Sequence, residues 1–242
     1  MGDVLSDASD RSPRSLEPDI PYTPPPDEGL AICFEDEAML VVDKPAGLLT
    51  VPGRGPDRQD CLVSRVSLRF SDAMIVHRLD MATSGLVVMA RGVDAQRRLS
   101  RLFESRQVSK RYEAWVQGLV DGEAGEIDLP LITDWPRRPR QMVCHEQGKP
   151  SLTRWQVLAR DEARGLTRVS LEPVTGRSHQ LRVHLLALGH PIVGDPLYGE
   201  PAQQAHWPRM MLHACEVSLP HPLGGDRGLV RVSSPAPFTF TR

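Results

Sequence analysis

Eight short segments of strand character, each cut off by Gly, Pro or Asp, set the main limit on what this chain can fold into. They are Met39 to Val42, Ala73 to Val76, Gly85 to Met89, Lys110 to Gln117, Leu152 to Leu158, Thr167 to Leu171, Leu212 to Leu219 and Leu229 to Ser233. Lys110 to Gln117 alternates, with Tyr112, Ala114 and Val116 on one face and Arg111, Glu113, Trp115 and Gln117 on the other. Only two stretches have helical period. Val93 to Arg106 gathers Ala95, Leu99, Leu102 and Phe103 on one side with arginines opposite. Ser178 to Leu188 repeats Leu181, His184, Leu185 and Leu188 at helical spacing before Gly189. Strands outnumber helices and do not alternate with them in βαβ units. The expected class is therefore α+β, a mostly antiparallel mixed sheet with few helices.

Charge and composition divide the chain at its start. Residues 1–28 hold seven acids, two bases and six prolines, without the basic and apolar regions of a signal peptide. They read as a disordered acidic, Pro-rich tail, which leaves residues 29–242 as one domain with a net charge of +3. No apolar run approaches the ~20 residues of a membrane span. Cys33, Cys61, Cys144 and Cys215 are widely spaced, with no CxxC pair, and a reducing cytoplasm is the expected location. Two basic clusters stand out, Arg97 to Arg111 and Arg137 to Arg140. Charge alone reads them as solvated faces or as phosphate contacts.

The densest polar cluster in an apolar frame is Val76 to Gly85, between two expected strands. Asp80 there has the chemistry of a nucleophile or base that works without a cofactor, and Arg78 that of a phosphate ligand or a plug for a vacated base. A plain turn, with Asp80 capping backbone, has the same spacing. A second cluster, Thr175 to His184, opens the second helix with Ser178 as the expected N-cap. Arg182 lies off the apolar stripe; position alone makes it a surface arginine, while a neighbouring carboxylate would make it the group that keeps that carboxylate ionised. His179, His184 and His190 have spacings unlike an HExxH metal site, and neither GxxxxGK[ST] nor GxGxxG occurs. Tyr112 by itself reads as core packing, or as a ring for a base to stack on.

Taken together these segments resemble the RluA family of pseudouridine synthases. HRLDMATSG at His77–Gly85 looks like that family's catalytic loop. VVDKPAGLLTVPG at Val41–Gly53, KRYEAWVQG at Lys110–Gly118, the stretch Thr175–Gly199 and LHA at Leu212–Ala214 match in order. The Asp128–Pro150 insert is similar to that of the branch acting on both tRNA and 23S rRNA, which lacks an S4 RNA-binding domain. The resemblance implies roles residue by residue: Asp80 the essential aspartate, Tyr112 the ring stacked on the target uracil, Arg182 the base paired with the aspartate. Arg78 would fill the space of the flipped base, with His77, Arg177 and His179 as further RNA contacts.

The implied reaction isomerises uridine in RNA hairpins, with tRNA, 23S rRNA or both as partner. It needs no cofactor, metal or nucleotide, and nothing in the sequence demands a second subunit, so a monomer is expected. Two rivals remain at this stage: a catalytically silent RNA-binding module of the same fold, and a metal-dependent RNA hydrolase.

Overall fold

The computed structural model describes residues 22–200 and 206–238. Twelve strands and three α-helices follow one another: β1 (Ala31–Glu35), β2 (Met39–Lys44), α1 (Leu62–Ser67), β3 (Ala73–Ile75), β4 (Ser84–Arg91), α2 (Gly92–Glu104) and β5 (Ser109–Gln117) form the first half. The second comprises β6 (Ala124–Asp128), β7 (Leu131–Thr133), β8 (Gln141–Val143), β9 (Leu152–Asp161), β10 (Leu166–Pro173), α3 (Gln180–Ala187), β11 (Leu212–Pro220) and β12 (Leu229–Ser233). Ten strands make one sheet in the order β1-β2-β4-β11-β5-β10-β9-β6, with β12 added on β11 and β3 on β4, while β7 and β8 form a separate hairpin. Among the described strands only β4 and β11 pair in parallel. This is the expected α+β class.

The two-residue period of β4 explains why it is apolar throughout. Leu86, Val88 and Ala90 pack with Ala95 and Leu99 of α2, whereas Val87 and Met89 pack with Leu62 and Val66 of α1. A strand covered on both faces has no polar side to show. In the other half, Ala114 and Val116 of β5 and Val169 and Leu171 of β10 bury Leu181 and Leu185 of α3. Tyr112 packs against the apolar clusters of both halves, which puts its ring at their seam.

The seam itself depends on a glycine. Gly85 has φ +114°, and a Cβ there would lie 2.5 Å from the backbone nitrogen of Ala214, its partner across the parallel pair. No side chain fits between the two backbones. The segment from Val76 to Thr83, which leads into β4, therefore opens where the two halves meet.

One expectation needs correction. Helix α3 starts at Gln180, and its N-cap is His179 in the left-handed region (φ 54°), not Ser178. The side chain of Gln180 sets that start: its Oε1 accepts from Thr175 Oγ1 at 2.7 Å and from the Arg177 N–H at 3.0 Å. Of the expected tail, residues 1–28, only residues 22–28 are described. Residues 1–21 lie outside the described residues, but from Tyr22 onward the chain is tied down. Tyr22 donates to the Asp60 carbonyl and accepts from the Leu49 N–H, and Arg65 donates to the Pro25 carbonyl at 2.7 Å.

Candidate active site

Asp80 sits in a cleft of about 870 Å³ whose walls include Arg78, Lys110, Tyr112, Arg177, His179 and Arg182. That volume falls in the range of ligand-binding clefts. The Asp80 side chain is 23% exposed, so a ligand can reach it. Its loop is fixed from behind: the hydroxyl of Thr50 donates to the Leu79 carbonyl at 2.8 Å, and the Gly47 N–H donates to the Met81 carbonyl at 2.8 Å. Lys44, fully buried, donates Nζ to the carbonyls of Leu48 (2.7 Å), Pro45 (2.9 Å) and Met81 (3.2 Å). Burial pushes the Lys44 ammonium down to about 7, against the pull of Asp80.

Arg182, which position alone made a surface arginine, is 3% exposed. Its Nη1 donates to Asp80 Oδ2 at 3.1 Å, while Nε and Nη2 grip Asp195 at 2.7 Å each. The guanidinium thus bridges two carboxylates, one wholly buried and one facing the cleft. Burial alone would raise the Asp80 carboxyl; His179, Arg182 and Arg78 outweigh it and hold the group below the usual carboxylate range. His179 is itself pushed down by burial. At neutral pH the charge on Asp80 is therefore held mainly by the two arginines.

The remaining candidates separate. His179 lies 3.9 Å from Asp80 through Nε2, and its Nδ1 shares a 2.7 Å bond with the hydroxyl of Tyr198. Tyr112 lines the cleft, and no described protein group hydrogen-bonds its hydroxyl; burial raises its phenol well above the usual range. Arg78 and Arg177 are exposed at the rim. His77 lines the cleft with one ring nitrogen engaged. Its Nε2 accepts the Val88 N–H at 2.9 Å, its ring stacks on Phe103, and burial pushes it down to about 3. The basic run from Arg97 to Arg111 also splits, since Arg111 pairs with Glu113 and Glu216. His184 and His190 turn to Thr153 and to the Gln117 carbonyl.

Comparison with known proteins decides what this geometry belongs to. The model of the RNA pseudouridylate synthase family matches residues 38–187, which include Asp80, Tyr112 and Arg182. The chain belongs to that family. A dual-specificity RNA pseudouridine synthase RluA from Pasteurella multocida (strain Pm70) is 49% identical over 84% of this chain and 93% of its own length. Its Escherichia coli (strain K12) counterpart is 46% identical over 90% and 98%. Among solved structures, human RNA pseudouridylate synthase domain containing 1 superposes with a TM-score of 0.75 at 34% identity, covering 90% of this chain and 87% of that one. This RluA-family synthase is an isomerase that converts uridine to pseudouridine in RNA.

Three groups that hold the synthase's site together were missed in the sequence: Lys44, Asp195 and Tyr198. Asp195 accepts the backbone N–H groups of Leu197 and Tyr198 besides gripping Arg182. Tyr198 also accepts the Gln141 N–H at 2.7 Å, which bolts the β7–β8 hairpin to the site. Their signal was present only as the GDPLYG and DKPAG runs, where Gly and Pro announce turns and hide the buried polar group.

Proposed function

We propose that this synthase modifies uridines in structured hairpins, the tRNA anticodon stem-loop and a 23S rRNA hairpin, by turning the target base out of the stack and into the Asp80 cleft. The observation that carries the reading is an accessible carboxylate, held ionised by Arg182 at 3.1 Å, in a cleft that Tyr112 also lines. The names of the bacterial relatives, dual-specificity RNA pseudouridine synthases, support two RNA classes.

A uracil inside a hairpin is reached only by extrusion, and a plugging side chain offsets the stacking lost. Arg78 at the rim is the residue for that task, and Tyr112 supplies the surface on which the base stacks. Arg177 contacts backbone phosphate at the rim, and His179 steadies Asp80 from its other side. The N1–C1′ bond breaks, the uracil turns, and a C5–C1′ bond forms. C5 releases its hydrogen as a proton and N1 takes one up, so the balance calls for no oxidant or reductant. Asp80 acts as the anion throughout, and Arg182 keeps it so.

The test is tritium release from RNA labelled at uracil C5, with a tRNA transcript and an rRNA hairpin compared and Asp80→Asn as the blank. Release from both RNAs is expected from the wild type and none from the variant, although the variant folds and binds. Release from one RNA narrows the substrate to that class. No release with binding intact favours the silent RNA-binding module.

A further inference from the structure

Lys110 is a cation that the cleft leaves without a counterion. Among the described residues no carboxylate or hydrogen-bond acceptor engages its Nζ, whereas the next residue, Arg111, has two glutamates. Its surroundings are apolar or open: Nζ lies 5.9 Å from the ring centroid of Phe103, and a Cβ built on Gly176 across the cleft would be 3.8 Å away. Burial depresses its ammonium, and its charge helps to keep the neighbouring His77 neutral. A half-buried charge that rests over an aromatic ring but has no counterion costs stability in the free protein. Such a cost is recovered when an anion enters.

The position says which anion. Lys110 and Tyr112 are two residues apart on β5 and project from the same face, ~7 Å apart along the strand. That separation is comparable to the reach from a base across its ribose to a backbone phosphate. We propose that Lys110 is a substrate-binding residue of the cleft, donating to a phosphate flanking the uridine whose base stacks on Tyr112. The assignment rests on the reading given under Proposed function. It takes Lys110 out of the basic surface formed by the exposed arginines of α2 and makes it a contact to one defined phosphate.

The test combines Lys110→Gln and Lys110→Arg with hairpins carrying a neutral methylphosphonate at the 5′ or the 3′ phosphate of the target uridine, read by tritium release. Lys110→Gln is expected to raise KM about tenfold, the range of one charge-assisted hydrogen bond, while kcat moves much less. Lys110→Arg restores most of the loss. One of the two methylphosphonates costs the wild type the same factor and costs Lys110→Gln nothing more. The melting temperature of Lys110→Gln stays level or rises, because the charge removed had no counterion and only a distant ring beneath it. Full additivity at both phosphates, a lower melting temperature with KM unchanged, or a fall confined to kcat would each overturn the assignment. Absence of tritium release by the wild type from either RNA would instead sink the parent reading, and Lys110 with it.

Discussion

Asp195 holds Arg182 from behind through two hydrogen bonds of 2.7 Å, which leaves Nη1 as the one guanidinium nitrogen directed at Asp80. A bidentate grip fixes the plane of the guanidinium as well as its distance. The aim of Arg182 is therefore set by a residue that faces away from the cleft. Asp195→Asn leaves a buried charge short of its partner, a loss of about 3 kcal/mol. That corresponds to a drop of roughly 6–12 °C in melting temperature. Since Asp195 touches no substrate, kcat is expected to fall far more than RNA affinity; single-turnover kinetics beside a binding isotherm decides it.

The pH dependence of stability separates Lys44 from Asp80. Lys44 titrates near 7 in the fold and at its ordinary 10.5 when unfolded, so between those values the unfolded chain binds one more proton. Stability then rises with pH across that window, because the charged form is the one that burial disfavours. Asp80 acts with the same sign in a different window: its folded value is depressed, so its contribution is complete above the ordinary carboxylate range and lost only in acid. Melting temperatures from pH 7 to 10 are expected to rise for the wild type relative to Lys44→Met, which lacks that proton. A parallel pair of curves would show that Lys44 stays charged in the fold.

What the sequence disclosed follows from what periodicity can carry. β5 and α2 were legible because one face of each is apolar and the other polar. α3 was found but its faces were misread. Six consecutive residues from Gln180 to Leu185 are buried, so the polar members of the helix, Gln180, Arg182 and His184, are bonded inside the protein and do not mark a solvent face. β7 and β8 span three residues each, too few for a period, and α1 has six. Asp80, Arg182 and Tyr112 were placed together by resemblance to a family, and the fold brings them to one cleft from segments up to 102 residues apart. Asp195 and Lys44 stayed hidden because a buried charge looks like a surface charge until its partners are known.

Tyr112 offers a cleaner separation of ring from hydroxyl than most buried tyrosines, because no described group bonds its oxygen. If the ring serves as the stacking surface, Tyr112→Phe keeps RNA affinity within about twofold, while Tyr112→Ala loses the ~1–3 kcal/mol of a base–aromatic stack. Any fall in kcat for Tyr112→Phe at saturating RNA then measures work done by the hydroxyl alone. Competition binding of the three proteins with an unlabelled hairpin checks the first part, and tritium release the second.

Arg177 is a rim cation open to a phosphate, since it is exposed and its side chain makes a single hydrogen bond among the described residues, a 3.3 Å contact from Nε to the Pro150 carbonyl. Each phosphate contact on a single-stranded loop contributes a slope of about −0.7 to log K against log salt. Arg177→Gln should therefore reduce that slope by about one contact and weaken binding by a similar factor on tRNA and rRNA hairpins, since phosphates carry no sequence. Arg97, already paired with Asp94 on the outer face of α2, should change the slope less when replaced by Gln. Titrations at several salt concentrations distinguish the two, and an unchanged slope for Arg177→Gln would remove it from the RNA contact.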